Sequence, residues 1–192
     1  VVLTAWRLGT AWPFLVSIND EGGSVFTLKK QHAKVSHINT REEKHGDEPV
    51  LAIDIGLQMD VGAEFLDALE PGLRGAFYGA TEDDDGPPTK LLYAALGPLT
   101  WACNMKDASL EFHARAKADQ LQFTVSVKKL KLELLAGGTV SAHFHAQTNP
   151  TPDQVGRLSA KLGDMVSISV VPSDLFAGGG ASEAKGDDNG ED

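Results

Sequence analysis

A chain of 192 residues with a net charge of −10 and 42% hydrophobic residues is long enough for one domain, or for two fused halves that share a core. Its single cysteine, Cys103, excludes an internal disulfide framework and any cysteine-based zinc site within one chain, and fits a reducing, cytoplasmic setting. No stretch holds the roughly 18 uninterrupted apolar residues of a membrane helix, so no membrane partner is expected.

Residues 1–24 read as a peripheral extension. Trp6 and the run Trp12 to Val16 are apolar, but no helical or strand period is sustained. No basic stretch precedes a small-residue cleavage site, so a secretory signal is not expected. Two alternatives stand side by side: an over-extended gene start with Val25 as the initiator, or an edge strand packed on the domain.

A β-rich domain is expected over residues 25–173. It begins with Phe26 and the strand Lys34 to Ile38, followed by a long charged turn from Thr40 to Glu48. In the next run, Leu51, Ile53, Ile55, Leu57 and Met59 alternate with Ala52, Asp54, Gly56 and Gln58, the period of a half-buried strand. A short helix then spans Ala63 to Leu69, and Pro71-Gly72 stops it. Glu82 to Pro88 is a solvated loop. Leu91 to Ala95, Leu99 to Met105 and Ser109 to Ala114 read as further short strands.

From Phe123 the order strand, turn, strand, helix returns. The strand Lys129 to Leu134 leads to a turn at Ala136-Gly137-Gly138 and an alternating strand, Thr139 to Thr148. The helix after it carries the clearest local signal. Thr151 is an N-cap, Pro152 stands at N1, Gln154 completes a capping box, and Gly163 follows the C-terminus. Val155, Leu158 and Leu162 form its expected buried stripe. A last strand alternates at Val166, Ile168 and Val170. Residues 174–192 are acidic and glycine-rich and are expected to be a disordered tail. The fold expected is therefore α+β and β-rich: an antiparallel sheet, sandwich or barrel built from two pseudo-symmetric strand-strand-helix repeats, residues 25–69 and 123–162.

Charge is segregated along the chain. Residues 24–45 carry a net +3 from Lys29, Lys30, Lys34, Arg41 and Lys44 against two glutamates. Residues 113–133 carry +3 again, with Lys128, Lys129 and Lys131 among the bases, while residues 46–112 hold 13 acids and 3 bases. Each basic stretch falls at or beside the first strand of a repeat. Shared on one face, Lys29, Lys30, Lys34, Arg41, Lys44, Lys128, Lys129 and Lys131 would bind a polyanion such as single-stranded nucleic acid. Phe26, Phe123 and Phe144 are either core residues, the commoner fate, or rings on which bases stack.

Other chemistry is weaker. His143 and His145 project from one face of a strand, a spacing that metal sites use. The pair follows Gly137-Gly138 and is similar to a cupin pattern, but Gln147-Thr148-Asn149-Pro150 stands where the downstream Glu belongs. Asp83-Asp84-Asp85 lacks the spaced ligands of a calcium loop. No phosphate-binding glycine loop, nucleophile elbow or dinucleotide motif occurs, and no cofactor is expected.

The stretch His37 to Ile55, with Arg41-Glu42-Glu43-Lys44-His45-Gly46-Asp47 at its turn, resembles a group of poorly characterised tailed-bacteriophage and prophage proteins. Leu135 to Val140 and Gly156-Arg157-Leu158 are similar to the same group, and the resemblance covers about residues 25–171. It implies a bacterial cytoplasm and a place among replication and recombination genes. The function expected is a non-enzymatic phage accessory protein of DNA replication or recombination that binds single-stranded nucleic acid, with phage or host proteins recruited by the acidic tail. A structural protein that oligomerises through sheet edges, and a small metal-dependent enzyme using His143 and His145, are the alternatives.

Overall fold

The computed structural model describes residues 14–18, 24–45, 48–80, 86–116 and 119–173. Its elements in chain order are β1 (Phe14–Ile18), β2 (Ser24–His45), β3 (Glu48–Gly62), α1 (Glu64–Leu69), α2 (Leu73–Phe77), β4 (Tyr78–Gly79), β5 (Lys90–Leu91), β6 (Leu99–His113), β7 (Leu121–Leu135), β8 (Thr139–Thr148), α3 (Pro152–Ser159) and β9 (Met165–Val171). The main sheet runs β1-β2-β3-β8-β7-β6-β9, and β9 also pairs with β2. Strands β2, β3, β8, β7, β6 and β9 therefore close into a ring in which every neighbouring pair is antiparallel. Of the arrangements open to the sequence, the barrel is the one adopted. Closure pairs the backbone groups that an open sheet leaves at its edges.

Alternation fills the interior. From β3 come Ile53, Ile55, Leu57, Met59 and Val61; from β8, Val140, Ala142, Phe144 and Ala146; from β7, Leu121, Phe123, Val125, Val127, Leu130 and Leu132. Phe26, Phe123 and Phe144 are all buried, and Phe26 meets Phe144 edge to face at 5.5 Å. They are core rings, which removes them as stacking surfaces for bases.

The lysine pairs mark breaks in that alternation. In β7 the register shifts between Ser126 and Leu130, so Val127 and Leu130 both face inward and Lys128 and Lys129 are both exposed. In β2 it shifts between Leu28 and Gln31, where Lys29 and Lys30 are exposed and Lys30 has φ 49°. These are β-bulges, which admit extra residues that a strict two-residue period would turn into the core.

Several expected boundaries move. The stretch Thr40 to Glu48 is not a long turn. Strand β2 runs on to His45, which pairs with Glu48 at the start of β3. Strand β3 meets β8 only from Ile53, so residues 41–45 and 48–52 project beyond the ring as two paired strands, an arm. The expected strands Leu99 to Met105 and Ser109 to Ala114 are one strand, β6, which stops at His113 and has register shifts on both sides of Met105. Leu91 to Ala95 is strand only at Leu91 and then runs exposed over the surface. Helix α2 is an element that local pattern does not announce. Helix α3 has its full capping box, and Leu158 is buried as expected. Leu162 is not, because the helix ends at Ser159 and leaves that side chain 53% exposed.

The extension contributes β1, which pairs with residues 24–28 of β2. Expectations for residues 1–13, for Asp83-Asp84-Asp85 and for the tail at 174–192 lie outside the described residues. Among the described residues, no helix is long and apolar enough to cross a membrane.

Candidate functional site

Side chains that alternate outward from β2, β3, β8 and β7 make one continuous polar surface, and strand register fixes which of them are neighbours. One cross-strand row reads Lys34, Gln58, His143, Lys131. The next reads His37, Gly56, His145 and abuts the bulge that carries Lys128 and Lys129. The third reads Asn39, Asp54, Gln147, Ser126. Lys34 and Lys131, far apart in the chain, thus end the same row, three strand spacings or roughly 14 Å apart along the sheet. Both are exposed.

The histidine row has a specific local cause. Gly56 interrupts the outward side chains of β3, and the His37 ring lies over its bare α-carbon; a β-carbon at Gly56 would overlap the ring. Ser36, the extra residue where the β2–β3 register shifts, sets its hydroxyl 3.1 Å from His37 Nδ1. The His145 ring stands 4.7 Å from that of His37, tilted by 58°. His143 is reached by the Ser141 hydroxyl at 3.4 Å, and Ser141 in turn by the Gln58 amide at 3.3 Å.

Electrostatics vary along this surface. Burial lowers the pKa of His145 from its ordinary value, and His37, Lys129 and His143 act in the same direction, against Asp54. The neutral form of the His145 imidazole is therefore favoured on this lysine-bearing surface. Burial raises the Asp54 carboxyl, but hydrogen bonds from Arg41 and Gln147 and the charges of Arg41 and His145 outweigh it, so the carboxyl titrates below its ordinary range. Arg41 binds both Asp54 and Glu43, with its Nε 2.9 Å from Glu43. Asp60 and Glu133 flank Ser141 in the row beyond Lys34 and Lys131, so acids stand on this surface beside the bases. Below the third row a shallow polar groove of about 420 Å³ continues past Ser126 and Gln147 to Gln122, Asn149 and Gln154.

The expected basic residues divide into groups. Lys34, Lys131 and the Lys128–Lys129 bulge border the histidines. Lys29 and Lys30 sit at the seam of β2 and β9, where the Lys30 amide donates to the Ser169 hydroxyl at 3.0 Å. Lys44 pairs with Pro49 near the end of the arm, and Arg41 is engaged by its two carboxylates. His143 and His145 do share a face, but among the described residues no group of three or more His, Cys, Asp or Glu side chains is arranged to hold a metal ion. His37 and Gly56 were missed as site residues, since only register brings them to His145. The outward phase of Gly56 in the β3 alternation was the one signal available.

Comparison with protein-family models, curated proteins and solved structures finds no match, so the likeness to the phage group rests on the residues quoted for it.

Proposed function

We propose that the protein is a non-enzymatic binding protein for single-stranded nucleic acid, which it holds across the outer surface of β2, β3, β8 and β7. The observation that carries this reading is the row Lys34, Gln58, His143, Lys131: two exposed cations joined by side chains that donate and accept hydrogen bonds. Cations set apart on a polar sheet suit a backbone of repeating phosphates, and the groove beyond Gln147 extends the path. A role in phage DNA replication or recombination, in a bacterial cytoplasm, is part of the same proposal and draws on the resemblance alone. Titration of an oligonucleotide at two salt concentrations tests the reading. Affinity should fall steeply with salt, and the charge reversal K34E/K131E should weaken binding and flatten that dependence by about the two lost phosphate contacts. Equal affinity in the variant refutes the site.

We further propose that the barrel is a duplicated ββαβ unit. The order of pairings supports this: the β2–β3 hairpin is matched by β7–β8, β9–β2 by β6–β7, and β3–β8 and β6–β9 each join a strand to its counterpart. A two-fold axis between Gln58 and His143 would exchange Lys34 with Lys131. Superposition of β2-β3-α1 on β7-β8-α3 checks the relation, and helices lying on unrelated sides of their hairpins would refute it.

A further inference from the structure

The three cross-strand rows carry three aromatic rings, those of His37, His143 and His145, and two of them are held against each other. We propose that the His37 and His145 rings form a stacking platform for one unpaired nucleobase, with phosphates on either side taken by Lys34 and by Lys129 or Lys131; this rests on the nucleic-acid reading and gives its preference for single strands a physical source.

Four observations carry it. The phenylalanines nearest the lysines in sequence are in the core, so any ring that meets a base on this surface is an imidazole. The His37 ring is seated before any ligand arrives, because it lies on the bare backbone of Gly56 and its Nδ1 is 3.1 Å from the Ser36 hydroxyl. A seated ring loses little freedom on binding. The His145 side chain is exposed, and its ring is 4.7 Å from His37. Finally, the groups facing the pair are mixed in charge: Asp54 from β3, Lys129 from β7 and His143 from β8, with Asp54 held by Arg41. Cations remain for phosphate while the rings remain for a base. Stacking of this kind is available to an unpaired base and not to one inside a duplex.

The test uses the full chain and a short single strand containing a fluorescent adenine analogue that stacking quenches, beside the matched duplex. The wild type should quench the analogue and prefer the single strand. H37A/H145A should bind the single strand about tenfold more weakly, the loss of one stacked base, with quenching abolished and duplex affinity unchanged. G56A is the second variant: it removes no polar group and only displaces the His37 ring, and it should show the same selective loss. Melting curves confirm that the variants fold. Wild-type single-strand affinity and quenching in both variants would overturn the platform while leaving a K34E/K131E defect intact. Equal losses for single strand and duplex would also overturn it, since the histidines would then act without stacking. Absence of oligonucleotide binding by the wild type in low salt would remove the nucleic-acid reading itself, and the platform with it.

Discussion

The imidazole of His37 occupies the space that a β-carbon on Gly56 would need. Two residues from neighbouring strands thus share one volume, and the glycine at the centre of β3 is explained by its neighbour's ring. A glycine within a strand is otherwise a weakness, because it packs nothing and costs more entropy to order.

A double-mutant cycle follows from that overlap. G56A should destabilise the protein by about 1–2 kcal/mol, since the ring must leave its seat. In the H37A background the same substitution should be neutral or stabilising, because the space is then empty and alanine suits a strand better than glycine. Denaturant melts of the four proteins measure the coupling. Additive effects would mean that the ring and the glycine are independent.

Asp54 gives a pH dependence with a definite sign. Burial raises its pKa, but Arg41, Gln147 and His145 together bring the folded value below the ordinary 3.8. A group depressed in the folded state adds stability above its unfolded pKa and loses it as pH falls through the folded value. D54N should therefore cost about 1 kcal/mol at neutral pH, a modest figure because the Arg41 side chain is 35% exposed and screened by solvent. The gap between wild type and variant should narrow once the pH drops below about 4. A gap that stays constant down to acid pH would show that the ion pair adds nothing to stability.

Legibility divides along the line between local and non-local causes. The cap of α3 was readable because Thr151, Pro152 and Gln154 act within one turn. Their hydrogen bonds are present: Gln154 N–H donates to the Thr151 hydroxyl at 3.3 Å, and Thr151 N–H donates to the Gln154 side-chain Oε1 at 2.9 Å. The inward set of β3 was readable because a two-residue period needs no partner. The charged arm was not, since Arg41, Glu43 and Lys44 look like a solvated turn until pairing with Ala52, Val50 and Pro49 is known. The site was half legible: composition marked Lys34, Lys131, His143 and His145, but which of them adjoin depends on the register between β3 and β8, which no single strand encodes.

The cap also makes a clean control for stability. Thr151Ala should cost about 1 kcal/mol, because the Gln154 amide loses its acceptor at the exposed start of α3. Thr151Ser should recover most of that loss, as serine offers the same oxygen. Melts of this pair measure what the cap contributes to stability. A stable Thr151Ala would mean that packing of Leu158 alone holds the helix.

Cys103 reports on whether the barrel stays shut. It lies on β6 where that strand meets both β7 and the start of β2, it is 5% exposed, and its thiol approaches the Val127 carbonyl at 3.9 Å. Burial pushes its pKa up to about 12, so at pH 8 only about one thiol in ten thousand is the reactive thiolate. In the native protein a thiol reagent should modify it orders of magnitude more slowly than it modifies the unfolded chain. Two origins of the residual rate are separable. If labelling waits on global unfolding, denaturant should speed it in step with the loss of stability measured by melting. If the β2–β6 contact frays by itself, labelling should run faster than the global stability permits and respond weakly to denaturant. The first outcome is expected, because Cys103 is packed in the same core as Met105 and Val127, and exposing it means parting strands that close the ring.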